Sequence, residues 1–481
     1  MTLLNATDIA VFDGQTQLVA PVSLTLKPGE PLIILGETGS GKSLLAQALM
    51  GTLPDNLRAR GQVETGGRVL RAGDRAAFRG LWGREIAVLP QEPWLSLDPL
   101  MRAGAQVAEA HRLVRGLSPA QARVQAVSDL AAFGLSGAMT RYPHELSGGM
   151  AQRVAIAAAR AGGAPIVIAD EPTKGLDAAR RDDVAALLLG ALRQGGGNSG
   201  GLLVITHDLA LARKVGGRVI VLRAGTVVET GLTAEVFAAP QATYTRELIA
   251  ADPEHWPDRK PAAGTAEVIV HTQGLALSRG GRLLVEGMDL SVQAGRILGI
   301  TGPSGCGKSS LGDALLGLLV PDAGRVIRAP GLAQTAFQKL YQDPVAAFPR
   351  KRTLGQTLAD VARLHQAPAG QIDSMLARLR LDPALLARPP GAVSGGELQR
   401  LALLRAMLAR PRFLFADEPT SRLDPITQRE VIGLLCELAR DADMGVALVS
   451  HDTALIDKVA DEVRRFTALR PDVTGAGDMA A

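Results

Sequence analysis

Cysteines, long apolar runs and an excess of charge of either sign are all missing from this sequence, and each absence excludes a class of protein. The 481 residues include two cysteines, Cys306 and Cys436, too few for a disulfide framework or a metal cluster. A reduced, cytoplasmic setting is therefore expected. The best apolar runs, residues 185–192 and 314–320, are far shorter than the roughly 20 residues that cross a bilayer. We expect no secretory signal at residues 1–12, and any membrane to be crossed by another chain.

The charge balance gives no support to a nucleic-acid partner. Lys and Arg number 52 and Asp and Glu 48, which leaves a net charge of only +4. Hydrophobic residues make up 47% and charged residues 21%, a composition typical of a globular protein. Because 481 residues exceed one ordinary core, two or three domains are expected.

One pattern, G-x-x-x-x-G-K-S, occurs twice, at residues 36–43 and 302–309. Each copy follows a predicted strand and precedes a helix-like run, the context of a phosphate-binding P-loop. The glycines let backbone N–H groups turn toward phosphate oxygens, and the helix N-terminus adds partial positive charge. We expect the lysines to reach the β- and γ-phosphates and the serines to hold Mg²⁺. The candidate residues are Gly36, Gly39, Gly41, Lys42 and Ser43 in the first copy and Gly302, Gly305, Gly307, Lys308 and Ser309 in the second.

The spacing of further motifs shows that one domain-sized unit is duplicated. Lys308 lies 266 residues after Lys42, and Ser394 lies 247 residues after Ser147. The copies differ in length mainly between the P-loop and a later glutamine. The sequence predicts a first domain at residues 1–251, a Pro-rich, charged linker at 252–265 and a second domain at 266–481.

Two carboxylate pairs end buried apolar strands, Asp170-Glu171 and Asp417-Glu418. The carboxyl ends of parallel strands meet at one edge of an α/β sheet, so these acids are expected beside the P-loops. Asp170 and Asp417 would hold Mg²⁺ directly or through water. Glu171 and Glu418 would polarise a water for attack on the γ-phosphate. Solvated acids at a strand end are the alternative, which the recurrence in both copies disfavours.

Two histidines and two glutamines recur in the same order. His207 and His451 follow later strands and are expected to hydrogen-bond the γ-phosphate or the attacking water. Gln91 and Gln342 follow the strand after each P-loop, where an amide would contact Mg²⁺ or the water and move with nucleotide state. For the histidines a surface position at a strand end is the competing interpretation.

A Ser-Gly-Gly sequence precedes a predicted helix in each copy, at residues 147–149 and 394–396. It is either a plain helix N-cap or a second phosphate-binding nest. Because each copy already has a P-loop, a second nest raises the possibility that it serves the nucleotide of the other copy. The residues concerned are Ser147, Gly148, Gly149, Ser394, Gly395 and Gly396.

In this order the motifs resemble the ATP-binding-cassette (ABC) ATPases over nearly all of both halves. The resemblance implies an α/β fold with two P-loop NTPase domains, each with a RecA-like core, an antiparallel β subdomain and a helical subdomain. In that family two cassettes dock head to tail, and each ATP lies between one P-loop and the opposite Ser-Gly-Gly signature. Both copies keep their acids and histidine, so two composite hydrolytic sites are expected. Fusion in one chain would keep the partner cassette at high effective concentration.

Three segments resemble the oligopeptide, dipeptide and nickel importers in particular. Residues 342–350 resemble the second ATPase of such systems, whereas residues 142–150 and Tyr244-Thr245-Arg246 resemble the first. The resemblance implies ATP and Mg²⁺ as cofactors and two transmembrane permease subunits and an extracytoplasmic substrate-binding protein as partners. It also implies a peripheral position on the cytoplasmic face of the inner membrane, no nucleic-acid partner, and a peptide, nickel, metallophore or similar solute.

The sequence departs from the family pattern at several places. Phe12 is the candidate for stacking on adenine in the first copy, but Ser278-Arg279 stands at the matching place in the second. The Cys-containing tails common in the family are missing. Lys174-Gly175-Leu176-Asp177 differs from Ser421-Arg422-Leu423-Asp424, so the two sites are not expected to turn over equally.

Two questions stay open from the sequence. Residues 94–101 and 345–352 either contact the membrane subunits or belong to the core, with Trp94, Leu95 and Leu97 as the apolar members of the first segment. The alternative function is a soluble tandem ABC ATPase acting on ribosomes or DNA. That class would be expected to carry a long basic helical linker, Cys clusters or a coiled coil, which the sequence lacks.

Overall fold

The computed structural model describes residues 2–174, 176, 178–193, 199–258, 267–303 and 305–466. Backbone contacts divide the chain into two units, residues 1–250 and 251–481. Residues 253–256, which the sequence assigns to the linker, belong to the second unit, where the Trp256 side chain is buried in the core. Residues 259–265 of the predicted linker lie outside the described part of the chain.

The first unit contains ten strands and nine α-helices among its described residues. The strands are β1 Leu4–Asp13, β2 Thr16–Leu26, β3 Leu32–Leu35, β4 Leu57–Thr65, β5 Arg68–Arg71, β6 Ile86–Leu89, β7 Ile166–Asp170, β8 Gly201–Thr206, β9 Arg218–Arg223 and β10 Thr226–Leu232. The helices are α1 Lys42–Met50, α2 Arg75–Phe78, α3 Ala103–Arg115, α4 Pro119–Ala132, α5 Gly148–Ala161, α6 Ala178–Leu189, α7 Leu209–Val215, α8 Thr233–Ala238 and α9 Thr243–Ala250.

The second unit repeats this order with fewer elements in its described residues. Its strands are β11 Val268–Arg279, β12 Arg282–Met288, β13 Ser291–Gln293, β14 Ile297–Thr301, β15 Ala323–Arg328, β16 Phe337–Leu340, β17 Phe413–Asp417, β18 Gly445–Val449 and β19 Glu462–Arg465. Its helices are α10 Lys308–Leu315, α11 Leu354–Leu364, α12 Gln371–Arg378, α13 Gly395–Met407, α14 Pro425–Asp441 and α15 Thr453–Val459.

A mostly parallel sheet forms the centre of each unit. In the first unit the strand order is β10-β9-β3-β8-β7-β6, with β9 and β10 antiparallel and the other neighbours parallel. In the second unit it is β16-β17-β18-β14-β19, and all neighbours are parallel. Strands β3, β8 and β18 are buried along their whole length, because a parallel sheet is covered on both faces. This explains their continuous apolar sequences.

Each unit also has an antiparallel sheet and a group of helices. The antiparallel sheets are β2-β1-β4-β5 and β12-β11-β13, with β15 also paired to β11. In the first unit α3, α4 and α5 enclose a separate apolar cluster. In the second unit α11 to α13 come at the same point in the order of elements along the chain. These layers confirm the predicted α/β fold with two P-loop domains. No helix in the described ranges combines the length and apolar character needed to cross a bilayer.

Candidate nucleotide-binding sites

The first P-loop lies at the carboxyl end of β3 and leads directly into α1. Gly41 has φ +94° and forms the helix N-cap, a left-handed conformation that favours glycine. A Cβ on Gly36 would lie 2.2 Å from the Leu222 carbonyl oxygen, so only glycine fits there. A Cβ on Gly39, by contrast, would meet no atom within 4 Å. The loop is therefore tightly held at its start and open at its tip, where a phosphate would bind.

The lysine of each P-loop curls back beneath its own loop. The Lys42 Nζ donates hydrogen bonds of 2.8 Å to the carbonyl oxygens of Gly36 and Glu37. The Lys308 Nζ makes the same 2.8 Å bonds to the carbonyls of Gly302 and Pro303. Both lysines are only 5% exposed. A buried ammonium needs acceptors, and these carbonyls fix it under the loop that the sequence predicts to hold phosphates.

The second P-loop repeats the backbone conformation of the first. Gly307 has φ +105° and caps α10, and Gly305 has φ +78° with no atom within 4 Å of an added Cβ. Residue 304 lies outside the described residues. The positive φ of these two glycines is thus kept in both copies although the intervening residues differ.

The predicted Mg²⁺ ligands meet at the edge of each parallel sheet. The Ser43 hydroxyl donates a 3.2 Å hydrogen bond to Asp170 Oδ1. Burial raises the pKa of Asp170, and the bond from Ser43 only partly opposes that effect. Burial likewise raises the pKa of Asp417, against a hydrogen bond from Ser309. A hydroxyl and a carboxylate that lacks full compensation for its burial form an oxygen ligand set that fits Mg²⁺.

Each catalytic glutamate candidate faces the predicted histidine. The Glu171 Oε2 lies 2.8 Å from His207 Nδ1, and the Glu418 Oε1 lies 2.5 Å from His451 Nε2. The Lys42 Nζ is a further 3.6 Å from Glu171 Oε1. Burial alone would raise the pKa of Glu171, but attraction to His207 and Lys42 lowers it below its ordinary value. The Glu171 carboxylate is therefore held ionised.

Both glutamates adopt a backbone conformation that is rare for residues other than glycine. Glu171 has φ +48° and Glu418 has φ +46°. Their backbone N–H groups donate to Ile205 and Val449 at 2.8 and 3.1 Å, so the neighbouring strands β8 and β18 hold them in place. Strain of this kind persists only where the surrounding structure fixes it, and its recurrence in both copies marks these two positions as functional candidates.

The glutamines lie at the expected strand ends. Gln342 follows β16 and donates to Glu418 Oε2 at 3.1 Å and to Ser421 Oγ at 3.4 Å. Gln91 follows β6 with an exposed side chain. The structure therefore brings Gln342 to the acid pair of its own unit, in the position from which an amide can contact a water or metal near Glu418.

The Ser-Gly-Gly signatures form helix N-caps in both units. The Ser147 Oγ accepts from Met150 N at 3.4 Å at the start of α5. The Ser394 Oγ accepts from Glu397 N at 3.3 Å, and Glu397 Oε2 accepts from Ser394 N in return. This is the capping interpretation of the motif, and it leaves Gly148, Gly149, Gly395 and Gly396 in the first turn of each helix. Binding of each signature to the other unit's nucleotide stays a prediction.

Phe12 and its counterpart occupy equivalent places beside the P-loops. Phe12 pairs with Gln17 across β1 and β2, and the next residues of β2 approach Gly41. The Arg60 guanidinium lies 4.9 Å from the Phe12 ring centroid, so one ring face already has a partner. Ser278 pairs with Leu283 in the same way. Of the differing loops after the acids, Gly175 and Asp177 lie outside the described residues.

The sequence reasoning missed a charged pair at the second site. The Lys339 Nζ lies 2.7 Å from Asp313 Oδ1 and 3.9 Å from Asp417 Oδ2. In the first unit Val88 and Gln47 stand at the same strand and helix positions. A residue-by-residue comparison of the two copies would have found it, because Gln338 and Lys339 stand in β16 where β6 has Ala87 and Val88. Tyr244 stands out in the sequence only as part of the Tyr-Thr-Arg segment that resembles the family.

The comparisons with known proteins agree with this geometry. The family model for the ABC transporter matches residues 19–174 and 285–421, each segment with its P-loop and acid pair. The chain belongs to the ABC transporter family. A peptidoglycan transport ATP-binding protein, YejF of Agrobacterium fabrum, is 34% identical over 96% of this chain and 90% of its own length. The glutathione import ATP-binding protein GsiA of Escherichia coli K12 is 32% identical over 95% and 83%.

Solved structures share the tandem architecture of this ABC protein. The archaeal ribosome recycling factor aABCE1, in complex with the stalk protein aP1, gives a TM-score of 0.64 at 23% identity over 93% of this chain and 84% of its own. An RNase-L inhibitor gives 0.64 at 22% over 95% and 87%. These likenesses concern the fold alone. The family model and the sequence relatives confirm the prediction of tandem cassettes of the peptide-importer type, and hence an ATPase with ATP-binding domains.

Proposed function

We propose that this ABC ATPase drives uptake of a peptide, nickel, metallophore or similar small solute through partner membrane subunits. In this proposal the two fused domains form two composite ATP sites. The observation that carries the proposal is the complete set of groups in each unit: a P-loop lysine, a Ser–Asp pair and a Glu–His pair. A cassette that only bound nucleotide would not need the Glu–His pair.

Hydrolysis in the first site would depend on the ionised Glu171. Its carboxylate accepts a proton as the water attacks the γ-phosphorus and the bond to the bridging oxygen breaks. His207 orients that carboxylate, and Lys42 stabilises the charge on the phosphate oxygens. Ser43 and Asp170 would hold Mg²⁺, which neutralises phosphate charge when bound. Glu418 and His451 take the same roles in the second site.

The segments after Gln91 and Gln342 supply candidate contacts to the membrane subunits. Leu95 is 70% and Leu100 85% exposed, whereas Leu97 is 7% exposed and packs with α3 and α5. In the second unit Phe348 is buried in the core. Leu97 and Phe348 are therefore core, Trp94 is partly buried against the same cluster as Leu97, and Leu95 and Leu100 are the proposed contacts.

The partners and setting follow from the relatives. The names of two relatives specify import of glutathione and transport of peptidoglycan, which favours a peptide-like solute. We propose two transmembrane permease subunits, an extracytoplasmic substrate-binding protein, no nucleic-acid partner and a peripheral position on the cytoplasmic face of the inner membrane. The likeness to a ribosome recycling factor does not favour the ribosomal alternative, because at 23% sequence identity it concerns the fold alone.

The test is ATP turnover of the purified chain with Glu171→Gln and Glu418→Gln, singly and together. Half-activity in each single variant and none in the double variant would support two working sites. Full loss in either single variant would mean obligate coupling, and full activity in one would mark its site as regulatory. Glu235→Gln, an exposed position on α8, is the matched control and should match the wild type. Wild-type turnover in all three site variants would refute the assignment.

A further inference from the structure

The Tyr-Thr-Arg segment at the start of α9 reaches the first P-loop. The Tyr244 hydroxyl accepts a 2.9 Å hydrogen bond from the backbone N–H of Glu37, the second residue of the loop. Tyr244 is 3% exposed, and the Arg223 guanidinium lies 4.8 Å from its ring centroid. A phenol that donates or accepts only at its tip is thus placed with its ring packed and its oxygen on the loop.

The helix that carries Tyr244 is itself held firmly. The Glu229 carboxylate on β10 accepts from the backbone N–H groups of Gln241 and Ala242, at 2.7 and 3.1 Å, immediately before α9. The Arg246 guanidinium donates to the Gln241 carbonyl at 2.8 Å from within the helix. Tyr244 is therefore a fixed group, and its hydroxyl can hold a loop in position without first losing much freedom of its own.

One rigid peptide group joins Tyr244 to the P-loop lysine. The N–H that the tyrosine binds belongs to the peptide between Gly36 and Glu37, and the carbonyl of that same peptide is the Gly36 oxygen that accepts from Lys42 Nζ at 2.8 Å. Since a peptide is planar, its N–H and C=O keep a fixed relative direction. Whatever orients the N–H therefore also orients the acceptor of the lysine ammonium.

The second P-loop fixes the corresponding peptide without a tyrosine. The residue that corresponds to Glu37 is Pro303, which has no N–H to satisfy and whose ring fixes φ. The Gly302 carbonyl still accepts from Lys308 Nζ at 2.8 Å. Only the first loop, of the two, presents a peptide N–H at this place that a tyrosine can hold.

We propose that Tyr244 is a positioning residue for the first nucleotide site. Its hydroxyl fixes the Gly36–Glu37 peptide, and with it Lys42, in the orientation that binds phosphates, and so links nucleotide affinity at this site to the packing of α9. This inference rests on the proposed nucleotide site at the first P-loop. In the second site the proline ring replaces the tyrosine.

The test compares nucleotide affinity at one site at a time. Tyr244→Phe, which removes only the hydroxyl, is made in a Lys308→Ala background that disables the second site, and binding of a trinitrophenyl-ATP probe is followed by fluorescence. We expect first-site affinity to fall about fivefold to tenfold, the effect of one lost hydrogen bond. In the chain without the background change, the KM for ATP should rise while kcat at saturation is kept, because the tyrosine does not touch the reacting atoms.

Two controls separate positioning from general packing. In a Lys42→Ala background, which reports the second site, Tyr244→Phe should change affinity by less than about twofold. Glu37→Pro copies the second loop, but its ring carbon would lie where the Tyr244 hydroxyl now accepts from the Glu37 N–H, so it is made together with Tyr244→Ala, which makes room for the ring. This double variant should bind the probe at the first site within about twofold of the wild type, whereas Tyr244→Ala alone should lose affinity.

Several outcomes would overturn the proposal. These are an unchanged first-site affinity in Tyr244→Phe, an equal loss at both sites with a lowered melting temperature, and a Tyr244→Ala, Glu37→Pro double variant that binds the probe no better than Tyr244→Ala alone. Failure of the underlying nucleotide site is distinguishable, because in that case Lys42→Ala would leave first-site binding of the probe unchanged whatever Tyr244 does.

Discussion

Exchanging one charged pair between the two sites should exchange their requirements for Mg²⁺. In the second unit the Lys339 ammonium lies 3.9 Å from Asp417, the proposed metal ligand, and 2.7 Å from Asp313. In the first unit Val88 and Gln47 occupy these places. A cation beside a metal site repels a divalent ion, so the second site should bind Mg²⁺ more weakly than the first.

The size of the effect can be bounded from the distances. A unit charge and a divalent ion about 4 Å apart repel each other by roughly 8 kcal/mol at an effective dielectric constant of about 20. The negative charge of Asp313 partly cancels the positive charge of Lys339. Burial raises the pKa of Asp417, and of the two charged neighbours Lys339, which lowers this pKa, has a larger effect than Asp313, which raises it. A remainder of about 1 kcal/mol corresponds to about fivefold weaker binding of a divalent ion.

The assay uses Mn²⁺ in place of Mg²⁺ and measures its binding to the ATP-loaded second site through loss of the free-ion EPR signal. Lys339→Val with Asp313→Gln, in a Lys42→Ala background, should tighten Mn²⁺ binding about fivefold. The reverse exchange, Val88→Lys with Gln47→Asp in a Lys308→Ala background, is the matched control and should weaken binding at the first site by a similar factor. Unchanged affinity in both exchanges, or a shift in the same direction in both, would refute the reasoning.

Two further predictions concern stability. Burial raises the pKa of Asp170 above 3.8, so ionising this carboxyl destabilises the folded state. The full free-energy cost is present once the pH exceeds the raised pKa, and none of it is present below pH 3.8. Asp170→Asn should therefore raise the nucleotide-free melting temperature near pH 7, with a gain that shrinks toward about pH 4, by calorimetry; a lower melting temperature near neutral pH would contradict this. Leu97→Ala should cost about 2–5 kcal/mol in urea unfolding, because it opens a cavity among α3 and α5, whereas Leu95→Ala should stay within about 0.5 kcal/mol and instead lower transport. Equal unfolding free energies for the two alanine variants would show that Leu97 is not core.

Most of the fold and of the motif positions could be predicted because they are local in sequence. A P-loop is defined by glycines at fixed spacing, and an apolar run that ends in Asp-Glu is itself the strand that delivers those acids. Duplication added a second, independent reading of each motif. Ser43 meets Asp170, and Lys42 meets Glu171, because the P-loop and α1 follow β3 while the two acids stand at the end of β7 at the same edge of one sheet.

The side-chain contacts that distinguish the two sites could not be predicted in this way. Tyr244 and Glu37 lie 207 residues apart, and no local sequence pattern predicts that this hydroxyl accepts from this N–H. Leu95 and Leu97 have the same chemistry, and only the packing of the helices decides that one is core and the other exposed. The left-handed conformation of Glu171 has no sequence signal either, since glutamate carries no preference for it.

A comparison of the site residues in the two copies leads to one more expectation. The Glu–His contact and the positive φ of the glutamate are present in both units, so these two features of the site of water attack are matched. The differences lie around the phosphate, adenine and metal ends of the site. The first unit has the Tyr244–Glu37 contact, Phe12 and Val88 where the second has Pro303, Ser278 and Lys339. Such groups alter binding of the ground state and of the transition state alike, and uniform binding changes KM without changing kcat. The two sites should therefore differ in their affinities for ATP and Mg²⁺ more than in their rates at saturation.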